Sequence, residues 1–177
     1  MTAISRRKVR IAIVDTGTNA ADVATTDYIE GEIKSYNKSG GEREVESDPV
    51  FGGYVDKEKP ISQVEISFEV VPSLEYADRW DALAYSADSA TGVYTMAGDV
   101  TDKAVFITTQ TGETSPKTWG FNNCSVIMYD IEHNADDNQT GNFNLKFSPT
   151  DSSGVSNFIT KATDIGSMPD WTSLDNN

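Results

Sequence analysis

From Gln63 to Val70 the chain alternates without a fault, with Val64, Ile66, Phe68 and Val70 on one side and Gln63, Glu65, Ser67 and Glu69 on the other. A period of two residues collects its apolar set on one face only in an extended strand, so this stretch reads as a strand with one buried and one wet face. Pro72 ends it. A one-faced strand needs partners to extend the sheet and a second layer to cover it, and the rest of the chain supplies mostly strand patterns.

Lys8 to Val14 places Val9, Ile11 and Ile13 on one face and is closed by the turn residues Asp15, Thr16 and Gly17. Tyr28 to Tyr36 reads as a second strand, with Ile29 and Ile33 inward and Glu30, Glu32 and Lys34 outward. Val93 to Met96 and Ala104 to Gln110 read as short strands. Asn123 to Ile131 is apolar on both faces, Cys124, Val126 and Met128 on one and Ile127, Tyr129 and Ile131 on the other, which predicts a strand covered on both sides. Across the polar turn Glu132 to Gly141 it forms a β-hairpin with Asn142 to Ser148, where Phe143, Leu145 and Phe147 alternate with polar residues. A single helix is predicted over residues 74–85: Ser73 is placed to cap it, Glu75 suits its first turn, and Tyr76, Trp80 and Leu83 fall at i, i+4 and i+7.

Asn37 to Pro60 is different in kind. Gly40, Gly41, Pro49, Gly52 and Gly53 interrupt it, and Val45, Val50, Phe51, Tyr54 and Val55 stand isolated among charges. A projecting loop or loose hairpin is expected. Beyond Pro149 the chain is rich in Ser, Asp and Thr with scattered Phe158, Ile159, Ile165, Met168 and Trp171. The expected organisation is therefore a β domain over residues 1–150, with a loop at 37–60, and a C-terminal arm or small extension over 151–177.

Composition narrows the function. The 177 residues suit one domain with a sizeable core, and 28 Asp and Glu against 14 Lys and Arg give a formal charge of −14, a surface that repels phosphate. One cysteine, Cys124, provides no disulfide framework. No apolar run approaches membrane-spanning length, and the run after Ser5-Arg6-Arg7 is too short for an export signal. The sequons at Asn37, Asn123 and Asn138 have no secretion signal to accompany them.

Few residues are equipped for chemistry. Val14-Asp15-Thr16-Gly17-Thr18 matches the strand-and-turn of retropepsin-type aspartic proteases, in which two Asp carboxylates share a proton, but the late apolar segment has its nearest counterpart in Asp164-Ile165-Gly166, where a charge intrudes. His133, the only histidine, starts a turn and has no nucleophile motif to serve. One Cys and one His cannot close a zinc site. Asp130, Glu132, Asp136, Asp137 and Asn138 gather hard oxygens about one turn, without the spacing of an EF-hand, so the alternatives are a calcium site or a solvated hairpin tip. Phosphate-cradling motifs are absent. The expectation is a protein without enzymatic activity, catalytic residues or cofactor.

From Val64 to Tyr85 and again from Trp119 to Ser148 the chain resembles the major tail tube protein of long, flexible-tailed viruses of bacteria or archaea. The resemblance rests on the strand Val64 to Val71 running through Pro72 into Tyr76-Ala77-Asp78-Arg79-Trp80, followed by the hairpin Ser125 to His133 and Gly141 to Phe147, and it spans about residues 27–150. It implies an antiparallel β-sandwich or half-barrel flanked by one helix, whose copies form rings, usually hexameric, that stack into a tube for viral DNA. Under it, Val126, Met128, Phe143, Leu145 and Phe147 belong to hairpin strands shared between subunits, and Val50, Phe51 and Tyr54 anchor the extended loop on an adjacent subunit or ring. The implied partners are copies of the chain itself and other tail proteins such as an initiator or terminator; DNA transits without specific binding, and no membrane is involved. The implied location is the virion tail, assembled in the host cytoplasm. Two alternatives of other classes stand beside it: a β-sandwich binding module for carbohydrate or a cell-surface partner, with calcium at the Asp130 to Asn138 turn, and a retropepsin-like protease using Asp15.

Overall fold

The computed structural model describes residues 9–30, 32–73, 75–88, 90–96, 102–109, 115–132, 135 and 139–173. Its strands, numbered in chain order, are β1 (Arg10–Asp15), β2 (Tyr28–Glu30), β3 (Ile33–Gly40), β4 (Val45–Val50), β5 (Gly53–Glu58), β6 (Val64–Val70), β7 (Ser86–Asp88), β8 (Val93–Thr95), β9 (Lys103–Thr109), β10 (Lys117–Glu132), β11 (Thr140–Phe147) and β12 (Phe158–Lys161), with one α-helix, α1 (Ala77–Ala84). The fold is mainly antiparallel β, as the alternating segments predict. One sheet runs β2-β1-β9-β10-β11-β6-β3, with β12 also paired to β10, while β4-β5 and β7-β8 are separate hairpins.

The two outermost strands of the main sheet, β2 and β3, follow one another in the chain, with Glu30 ending one and Ile33 beginning the other. Three residue steps span at most about 11 Å, so the sheet must curl enough to bring the end of β2 near the start of β3 without pairing them. The result is a half-barrel. The sequence reading of Tyr28 to Tyr36 as one strand is corrected here: Ile29 and Ile33 face inward as expected, but β2 ends at Glu30, β3 begins at Ile33, and Glu32 between them turns inward and is 8% exposed. Its carboxylate accepts the indole N–H of Trp80 at 2.7 Å and the backbone N–H of Ser73 at 2.8 Å. A buried carboxylate needs such donors, and here they fasten the helix to the seam.

Helix α1 begins at Ala77, later than the predicted 74; Leu74 lies outside the described residues. Ser73 gives its N–H to Glu32 instead of capping, and no side chain caps the helix start. Trp80 and Leu83 are buried as their spacing requires, and the Trp80 ring lies 5.2 Å from Phe143. They join Ile11, Ile29, Val105, Ile107 and Phe121 from one half of the sheet and Val64, Ile66, Phe68, Val70, Leu145 and Phe147 from the other in the main core.

A second core lies on the outer side of β1 and β9. Ala12, Ala20, Val23, Ala104 and Phe106 meet Ile159, Ile165, Met168 and Trp171 there. The segment after Pro149, expected as an arm or small extension, thus adds a strand to the sheet and covers its back. The strand buried on both faces is β9, from Ala104 to Thr109. Gly120 permits the close layer contact: a Cβ there would stand 2.9 Å from both Ile159 and Phe106 side chains.

Strand β10 is the corner. Its first half pairs with β9 and β12 and its second half with β11, and the register shifts between Phe121 and Cys124 and again between Val126 and Met128. Asn123 takes a left-handed φ of 52° at the first irregularity, a conformation Asn tolerates better than most residues. Ile127 is the extra residue at the second, so Val126 and Tyr129 both face inward opposite Leu145 and Phe143. The predicted double coverage of Asn123 to Ile131 fails because its outward side stays open: Ile127 is 51% exposed, Met128 38% and Ile131 45%.

Candidate assembly surfaces

The Asp-Thr-Gly string forms a structural turn. Thr18 N–H bonds to the Asp15 carbonyl at 3.2 Å, and Gly17 sits at φ 80°, where a side chain would be strained. The Thr16 hydroxyl donates to Asn123 Oδ1 at 2.6 Å and the Gly17 N–H to Asn122 Oδ1 at 2.9 Å. Asn123 Nδ2 donates to Asn157 Oδ1 at 2.7 Å, and Asn157 Nδ2 to the Ser148 carbonyl at 2.9 Å. The turn therefore locks the end of β1 to the first bulge of β10 and to the 148–157 loop. The Asp15 carboxylate points outward, its side chain 83% exposed, and pairs with Lys103 Nζ at 2.8 Å. The hydrogen bond and charge of that ammonium hold its pKa below the ordinary carboxylate value.

Asp130 and Glu132 are exposed along β10, while His133, Asp136, Asp137 and Asn138 lie outside the described residues. No cluster of metal-ligating side chains occurs among the described residues. Cys124 is fully buried, and burial, with a smaller push from Asp102, raises its thiol to about 12, so it is no nucleophile at neutral pH. Burial likewise raises the Tyr129 hydroxyl to about 12, helped by Asp81 and Tyr85.

What the surface offers instead is edges and apolar residues. Among the described residues, β3 pairs on one side only, with β6, and the Ser125–Glu132 half of β10 pairs only with β11. Each leaves a row of backbone donors and acceptors able to take another strand. Ile127, Met128 and Ile131 stand beside the β10 edge. Of the hairpin residues expected to be shared between subunits, Met128 is exposed and Val126 half-buried, whereas Phe143, Leu145 and Phe147 are 0%, 0% and 2% exposed in the chain's own core. Those three side chains are committed internally, because β11 lies between β10 and β6 with its apolar face inward. Only the opposite face of that strand is open to a neighbour.

The Asn37 to Pro60 segment resolves into the end of β3 and the hairpin β4-β5, whose register runs from Val45 opposite Glu58 to Val50 opposite Gly53. Its tip carries the expected anchors in full view: Phe51 is 113% exposed relative to an extended reference, Tyr54 74% and Val50 48%. At its base a groove of about 460 Å³ is lined by Lys38, Arg43, Ile61, Pro149, Ser156 and Phe158, among others. Nothing in the sequence pattern singles out these residues, since they come from three separate segments and none repeats with a period.

No protein-family model matches the chain, and no curated protein matches it. Solved structures do. The chain is similar to one in the cryo-EM structure of an extracellular contractile injection system, the PVC sheath-tube complex in its extended state, with 13% identity, a TM-score of 0.57, and 91% of this chain and 93% of that chain covered. It is similar also to one in the cryo-EM structure of the anti-feeding prophage (AFP) baseplate, 6-fold symmetrised, with 9% identity, a TM-score of 0.53, and 92% and 97% covered. At these identities the likeness is one of fold, and it runs nearly end to end on both sides. No helix among the described residues is long and apolar enough to cross a membrane.

Proposed function

We propose that this chain is a structural subunit of a tail tube, whose copies join side by side into rings, six to a ring, that stack around a lumen through which viral DNA passes. The observation that carries the reading is the pair of strand edges that are one-sided among the described residues, β3 and the second half of β10, on a single half-barrel. They differ from one another, so the contact they make is heterologous: the β10 edge of one copy meets the β3 edge of the next, and repetition by a fixed rotation closes a ring. Burial of Ile127, Met128 and Ile131 in that contact would remove the apolar stripe left on the single chain. The acidity supports the same reading, because a wall built from copies carrying −14 each repels a phosphate backbone and lets it slide. The near full-length likeness of fold to chains from a sheath-tube complex and from a six-fold baseplate agrees with a place in such a particle.

Negative-stain electron microscopy of the purified chain tests this. Rings or stacked tubes are expected, and the triple variant Ile127→Ser, Met128→Ser, Ile131→Ser should remain folded by circular dichroism yet form none. A protein that sediments as a monomer at millimolar concentration in both low and high salt, with no rings on the grid, would refute the proposal.

A further inference from the structure

The chain leaves the main sheet at Gly40 and returns to it at Val64, the last pair of the β3-β6 ladder. Gly40 and Gly41 take φ of 79° and 74°, two successive left-handed steps that glycine makes without strain. Beyond them Arg43 and Ile61, on the stalk of the β4-β5 hairpin, stand across from the loop that carries Pro149, Ser156 and Phe158, and the groove of about 460 Å³ is the gap between stalk and loop. Its size is that of a small-molecule site. In a chain where 28 acidic residues face 14 basic ones, no carboxylate lines this groove among the described residues. Its two charged residues are both cations, Lys38 and Arg43, and neither makes an ion pair among the described residues. Lys38 Nζ stands 5.6 Å from the centre of the Phe158 ring and 4.0 Å from where a Cβ on Gly41 would lie, so the ammonium is held over the groove. Beneath it the floor of Ile61, Pro149 and Phe158 is apolar.

A ligand that fits must satisfy both parts at once. An inorganic anion would pair the cations and leave the floor wet, and a neutral apolar molecule would cover the floor and leave the cations unpaired. We infer that the groove binds an amphipathic organic anion, a carboxylate carried on an acyl chain, with the chain along Ile61, Pro149 and Phe158 and the carboxylate taken by Lys38 and Arg43. The Lys38 ammonium already covers the Phe158 ring face, which leaves a flat aromatic ligand no face to stack on and favours a flexible chain. Such a molecule touches stalk and loop together. The backbone bonds of the stalk, Lys59 N–H to the Glu44 carbonyl at 3.0 Å and Ser62 N–H to the Glu42 carbonyl at 3.3 Å, tie its two strands only to each other. A bound acyl anion therefore fastens the hairpin to the body of the domain.

Dodecanoate is the probe, used with the full chain and below its micellar concentration. Calorimetric titration should show one saturable site, and dodecanoate bearing a diazirine on its chain should, on irradiation, label residues 38–43, 61 and 149–158 as mapped by mass spectrometry. Lys38→Gln with Arg43→Gln, both exposed positions, should leave the circular dichroism unchanged and weaken dodecanoate about tenfold, the scale of lost hydrogen bonds to a charged group. Dodecanol, the same chain without the charge, should bind wild type about tenfold more weakly than dodecanoate does and should not distinguish the variant. Bound dodecanoate should also slow hydrogen exchange at the Lys59 and Ser62 amides. No saturable binding, labelling at another surface such as the exposed Phe51 tip, equal affinity for dodecanol, or an affinity indifferent to the two glutamines would overturn the site. Labelling in the groove with unchanged exchange in the stalk would overturn the fastening of the hairpin.

Discussion

Replacing Trp171 with Ala should cost the protein much of its stability. The side chain is 4% exposed, its ring lies 5.6 Å from Phe106, and its indole N–H donates to the Thr18 carbonyl at 2.8 Å. Truncation removes that burial, opens a cavity among Ala20, Val23, Ile165 and Met168, and leaves the Thr18 carbonyl without its donor. Large-to-small changes of a buried Trp cost about 3–5 kcal/mol, a large share of the roughly 5–15 kcal/mol that holds a domain together. For a domain of this size about 4 kcal/mol corresponds to a fall in Tm of roughly 8–16 °C. Urea unfolding followed by tyrosine and tryptophan fluorescence, with calorimetry alongside, measures both quantities. A loss below about 1 kcal/mol, the size of a surface substitution, would mean that the C-terminal segment lies on the sheet without supporting it, and that the second core is no core.

Gly120→Ala should destabilise by about 1–3 kcal/mol, because the new methyl would meet Ile159 and Phe106 at 2.9 Å; denaturant midpoints at constant m-value check it. Cys124 should resist thiol reagents at pH 8 until the chain unfolds. Its folded pKa of about 12 stands above the ordinary 9, so the stability this creates is complete below pH 9 and is lost as pH rises toward 12. At pH 10.5 the loss is about 2 kcal/mol, and a Cys124→Ala variant should show a shallower alkaline decline in urea midpoint. Asp15→Asn should change stability by less than about 1 kcal/mol at pH 7, since the ion pair with Lys103 is solvated. Lys103 lowers the Asp15 pKa, so this contribution is present above the unfolded carboxylate value near 3.8 and vanishes as pH falls through the lower folded value; the urea midpoints of wild type and variant should draw together as pH falls below 3.8.

Where local alternation is also the global fact, the sequence could be read. Val64 to Val70 and Phe143 to Phe147 face one core over their whole length, and Trp80 and Leu83 lie on the buried stripe their spacing announces. Reading failed where one residue changes the phase. Ile127 adds itself to β10 and turns Met128 outward and Tyr129 inward, and no pattern in Ser125 to Glu132 marks the insertion. Glu32 looked like an outward charge because its partners, Trp80 and Ser73, lie more than 40 residues away. The C-terminal segment has no period because it covers the sheet through a short strand, a 3₁₀ turn and single residues such as Trp171. The hairpin tip was legible as isolated aromatics among charges, while the groove at the hairpin base is assembled only by the fold.

The pairing of β1 with β9 carries a consequence for synthesis. Ile11 meets Ile107 across that ladder, so the first strand leaves the ribosome about a hundred residues ahead of its principal partner, some 5–20 s at ordinary elongation rates. Through that interval β1 has only the short β2 beside it, and its outer face lacks the cover that Ile159, Ile165, Met168 and Trp171 later supply. The nascent chain is therefore most prone to misassociate before β9 emerges, and holding chaperones have their natural client in the first hundred residues.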